Sequence, residues 1–73
     1  MTDVSITTEF IRLDAFLKFA GAAMSGGEAK ELVQRGGVTV DGEPCLQRGR
    51  KLRGGECVRA GDKEYRVVKS CIS

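Results

Sequence analysis

Histidine and tryptophan are absent from this 73-residue chain, and proline and tyrosine occur once each. A catalytic centre needs a nucleophile with its base, a carboxylate pair in a pocket, or a metal, and without histidine no such constellation stands out. The sequence therefore predicts no enzyme, no catalytic residue and no cofactor. Cysteine is scarce too. Cys45, Cys57 and Cys71 are odd in number and form no CxxC pair. A zinc site would need Asp or Glu to complete it, which is uncommon in structural sites, so no metal is expected. Free, largely buried thiols in a reducing compartment are the simplest reading, with a disulfide or redox role as the alternative. Cys45, beside the basic loop described below, is the one thiol placed for reactivity. No long apolar run exists, and Met1–Glu9 is short, polar and acidic. No signal peptide or membrane span is read from it, and a cytoplasmic location is the expectation.

Apolar residues make up 41% of the chain and charged residues 30%, the balance of a soluble globular domain. The length leaves room for one domain, taken as 1–73 with its core at about 9–68. A domain so small buries only ~60% of the surface its unfolded chain exposes, so the core is thin. Net charge is only +2, but it is unevenly spread. Pro44 to Arg59 holds Arg48, Arg50, Lys51, Arg53 and Arg59 against the single acid Glu56, while the remainder is net negative. Charge segregated in this way attracts a polyanion to one face of a nearly neutral molecule.

Val4-Ser5-Ile6-Thr7 alternates apolar and polar residues and reads as a short strand. Leu13, Phe16, Leu17 and Ala20 then form one helical stripe, with Gly21 as its C-terminal stop. At about two turns, this helix needs a packing partner. Ser25-Gly26-Gly27-Glu28 matches a capping box. It opens a second helix whose buried face is Ala29, Leu32 and Val33, ended by Gly36-Gly37. Val38–Val40 is a strand, Asp41-Gly42 a hairpin turn, and Pro44 limits the returning strand. An irregular basic loop spans Gln47 to Arg53. Strands at Glu56–Ala60 and Lys63–Val68 follow, joined at Gly61-Asp62. The order predicts an α+β fold: a short N-terminal strand and two packed helices on one face of a small antiparallel sheet.

Four ordered segments resemble the S4 RNA-binding domain: Arg12–Leu17, Ala29–Val33, Gly37–Gly42 and Leu52–Val58. The likeness covers about Glu9 to Val68. Phe16–Gly21, Ser25–Lys30 and Arg48–Leu52 resemble its small free-standing bacterial branch, the YbcJ or YaaA-like proteins. The resemblance implies an S4-like αL motif and binding of structured RNA, as rRNA or tRNA, through the helix pair and the loop after the first hairpin. It implies a ribosome-associated module. A monomer is expected, with no membrane and no small-molecule substrate. Many S4 domains carry Ser-Arg at the second helix start, where this chain has Ser25-Gly26, so one expected phosphate contact is missing.

The candidate RNA-binding residues are Arg12, Gly26, Gly27, Lys30, Arg48, Arg50, Lys51 and Arg53. Four cations within six residues repel one another, and folding gains nothing from that, whereas guanidinium forks fit phosphates. The competing reading is a solvated loop with rim ion pairs. Gly26 and Gly27 either let a phosphate approach helix-start amides, with Lys30 one turn on, or merely shape a tight turn. Arg12 is unfavourable against the helix dipole, and stands either for RNA or for a pair with Glu9 or Asp14. Phe16 is on the apolar stripe, Phe10 and Phe19 are expected in the core, and Tyr65 is ambiguous. Base stacking is then a poor model, and phosphate and shape recognition of folded RNA suits the chain better. The alternative is a protein-interaction module that docks onto a larger assembly such as the ribosome.

Overall fold

The computed structural model describes residues 2–70, so Cys71 lies outside the described residues. The chain runs β1 (Thr2–Ile6), β2 (Ile11–Arg12), α1 (Leu13–Phe19), α2 (Gly26–Gln34), β3 (Val38–Val40), β4 (Glu43–Pro44), β5 (Lys51–Leu52), β6 (Cys57–Ala60) and β7 (Lys63–Lys69). Five strands form a sheet in the order β1-β7-β6-β3-β4, and β2 and β5 form a separate two-stranded ribbon. The α+β class is as expected, but the sheet is mixed rather than antiparallel throughout. β1 runs parallel to β7, with Val4 opposite Val67. Short hairpins force antiparallel neighbours, and β3–β4 and β6–β7 obey that. β1 and β7 are joined through the whole helical layer, so no turn dictates their direction.

The first hairpin follows its local chemistry. Asp41 (φ 54°) and Gly42 (φ 83°) both adopt the left-handed backbone that a two-residue turn of this hand requires. The helix ends are equally local. At α1, Gly21 N–H donates to the Lys18 carbonyl and Ala22 N–H to that of Leu17. At α2, Gly36 and Gly37 repeat the pattern on Val33 and Leu32. Four otherwise orphaned carbonyls are thus satisfied.

Leu13, Phe16 and Leu17 of α1 and Ala29 and Val33 of α2 are buried in one cluster with Val38, Val40, Leu52, Val58, Tyr65 and Val67. Tyr65 is therefore a core residue, and Phe16 meets it edge to face at 6.2 Å between ring centroids. The opposite side of each strand is polar: Thr39, Arg59 and Glu64 are cross-strand neighbours in one row. Two aromatic expectations fail. Phe10 and Phe19 are exposed, Phe19 by 63%. Phe19 ends its helix off the buried stripe, and beside Phe10 it is Ile11 that takes the inward place. Leu32 is half-buried at the margin of the cluster. Among the thiols, Cys45 is buried and Cys57 half-buried, and both are free.

Candidate nucleic-acid interface

The basic segment is less irregular than the sequence suggests. Lys51 and Leu52 pair with Arg12 and Ile11 as the antiparallel ribbon, and Leu52 is fully buried. One turn earlier, the carbonyls of Arg50 and Arg48 accept the backbone N–H groups of Leu13 (2.9 Å) and Asp14 (3.0 Å). α1 has no side-chain cap, so the basic loop performs that task with its backbone. The loop is anchored, yet the side chains of Arg48, Arg50, Lys51 and Arg53 all remain exposed.

This anchoring brings Arg12 to the loop. A Cβ at Gly49 would lie 3.6 Å from the Arg12 guanidinium. Arg12 also faces Asp14, at 3.7 Å from Nε to Oδ1, one of the pairings anticipated for it. The contact is long and exposed, and such pairs contribute little. On its other side Arg12 lines a shallow groove of about 190 Å³ with Asp14, Ala15, Lys18 and Gly26. The start of α2 therefore lies against the exposed face of α1.

Ser25 caps α2 as the sequence anticipates, its Oγ accepting from Glu28 N–H at 3.2 Å. The Glu28 side chain does not return the bond. The Gly26 and Gly27 amides have no acceptor among the described residues, as first-turn amides of a helix generally lack. A Cβ at Gly26 would meet no heavy atom within 4 Å, and one at Gly27 only Ser25 Oγ at 3.9 Å. Neither glycine is required by crowding or by a left-handed backbone. Their lack of side chains leaves the first-turn amides sterically open. Lys30 is exposed one turn beyond Gly26 but does not line the groove.

Arg53 sits at the far end of the ribbon. Its backbone N–H and that of Gly54 donate to the Glu56 carboxylate at 2.8 and 2.7 Å. The lone acid of the basic segment thus holds its backbone together. Arg59, counted in the same basic stretch, belongs elsewhere. It lies on the polar side of the sheet, its Nε donating to the Gly61 carbonyl, in a cavity lined also by Thr39, Cys57 and Glu64.

Two residues of this surface are absent from the candidate RNA-binding residues, Phe10 because the sequence reading puts it in the core. Lys18 is one; Asp14, Ala15 and Lys18 stand at the spacing of one helical face, which signals a shared exposed strip. Phe10 is the other. Lys51 Nζ lies 4.8 Å from its ring centroid, and the two-residue alternation of Phe10, Ile11 and Arg12 is its signal. Among the described residues no group of three or more Cys, Asp or Glu side chains is placed to hold a metal ion.

An anchored cationic loop beside an open helix start, carried on a helix pair, defines an S4-type module, and the chain belongs to the S4 domain family, whose model matches residues 4–68. It is 47% identical over 66 residues to a Bacillus subtilis protein named as a probable ribosome maturation protein, RlbA, covering 89% of this chain and 93% of that protein. It is also 42% identical over 52 residues to a tyrosine–tRNA ligase of Nitratidesulfovibrio vulgaris. That match covers 70% of this chain but only 13% of the ligase, so the likeness is to one small part of an enzyme.

Proposed function

We propose that this protein binds structured RNA, ribosomal or transfer RNA, as a non-catalytic monomer in the cytoplasm, and that its task lies in ribosome maturation. The observation that carries the reading is the loop that caps α1. Its backbone serves the fold while its four cationic side chains stay exposed, Lys51 resting on the Phe10 ring. Arg12 and Lys18 extend that positive surface to the Gly26 and Gly27 amides, where the helix dipole also favours an anion. Lys30 stands ready one turn further on. Contacts of this kind position a phosphate backbone without reading bases, so recognition is chiefly of shape and charge. The ribosomal task rests on the name of the Bacillus subtilis relative, which this chain matches over nearly its whole length.

Filter binding of the protein to ribosomal RNA and to duplex DNA, each at two salt concentrations, tests the proposal. Salt-sensitive binding with preference for the RNA supports it. Salt-insensitive binding or none favours a second reading, docking to a protein within a larger assembly. That reading is supported by Phe19, which lies exposed in an apolar groove beside Ile6, Thr7 and Ile11 at the outer strand of the sheet.

A further inference from the structure

The ribbon of β2 and β5 has two unlike sides. Ile11 and Leu52 turn inward, Leu52 being fully buried. Arg12 and Lys51, the paired residues beside them, are exposed, as are Phe10 and Arg53, which flank the two strands. The Phe10 ring lies under the Lys51 ammonium, 4.8 Å from Nζ to its centroid. The ring is 36% exposed and does not pack on the core cluster, to which the ribbon contributes Ile11 and Leu52. Nor is it loosely held: the Phe10 carbonyl accepts from Thr8 Oγ1 at 2.7 Å, and Ile11 is locked in register with Leu52. Phe19 is the more exposed ring, but its groove is lined by no cation.

We propose that Phe10 is a stacking platform for one unpaired base of the bound RNA, a role that rests on the RNA-binding reading above. A ring with a cation beside it suits a nucleotide, whose flat apolar base and charged phosphate need different neighbours. Lys51 covers one face of the ring in the free protein. Its contact is a weak one at an exposed site, and its stem is flexible. The ammonium leaves the ring for a phosphate when RNA binds, and the base takes its place. The surface then selects RNA with an unpaired nucleotide over a perfect duplex, a selectivity that phosphate contacts alone do not supply.

The test compares a fully paired RNA duplex with the same duplex carrying a bulged 2-aminopurine. The parent protein is expected to bind the bulged RNA more tightly and to quench its fluorescence. Phe10→Leu should lose about tenfold in affinity for the bulged RNA and lose the quenching. Its duplex affinity, salt dependence and unfolding temperature should stay those of the parent. Phe10→Trp should retain the preference. The proposal is overturned if the parent shows no preference, or if Phe10→Leu binds the bulged RNA as the parent does. It is equally overturned if Phe10→Leu weakens both RNAs alike, since the ring would then serve only to hold Lys51. A parent that binds neither RNA defeats the RNA-binding reading itself, a result distinct from all of these.

Discussion

Leu13 donates its backbone N–H to the carbonyl of Arg50 at 2.9 Å, so the first helix starts on the basic loop. A bond made by main chain alone separates the loop's structural task from whatever its side chains do. Substitutions at the arginines should therefore divide stability from binding cleanly.

Arg50→Ala is expected to weaken RNA association by about 1–3 kcal/mol, the range of a charge-assisted hydrogen bond. It should change stability by less than ~0.5 kcal/mol, as exposed substitutions usually do. The double change Arg50→Glu with Lys51→Glu should nearly abolish binding. Thermal unfolding and RNA affinity measured on the same variants check this. Early melting of the loop variants would make the side chains structural.

Arg12, Lys18, Lys30 and the four loop cations give the surface seven candidate phosphate contacts. Log K for a folded RNA is expected to fall with log salt at a slope of roughly −4 to −6, since each contact releases condensed counterions. A titration from low to moderate salt reads this slope directly. A slope near zero removes the electrostatic account.

Glu56 should behave oppositely in the two assays. Its carboxylate accepts from both Arg53 and Gly54 amides, and Glu56→Ala strands those donors at the loop's edge. A loss of about 1–2 kcal/mol in stability is expected, lessened because water reaches the site. The same change removes the only acid of the basic segment and should tighten RNA binding at low salt. Weaker binding by a folded variant would mean that Glu56 shapes the loop for RNA as well as for the fold.

Leu17→Ala should cost about 2–5 kcal/mol of stability by opening a cavity between the helices and the sheet. RNA binding should be lost only in step with unfolding, as denaturant melts run beside binding assays will show. By contrast, Cys45→Ala and Cys57→Ala should cost little more than small buried hydrophobes do and should leave RNA affinity unchanged. Loss of affinity in a folded thiol variant would reveal a thiol-dependent site.

Much of the fold is written in short-range chemistry and was legible from the sequence. The helix stripe from Leu13, the Ser25 cap, the glycine stops and the Asp41-Gly42 turn each depend on a few adjacent residues. The density of charge from Arg48 to Arg53 was legible for the same reason, because it fits no local structural need. Tertiary structure decided what local rules do not address. The parallel direction of β1 depends on a partner sixty residues away, and the basic loop became a helix cap through backbone bonds that any residue type can make. The union of Arg12, Lys18 and Gly26 in one groove required the helices to pack. Exposure of Phe10 followed from which of two neighbouring apolar residues, Phe10 or Ile11, the buried Leu52 took as its partner. Hydrophobicity alone does not distinguish them, and register does.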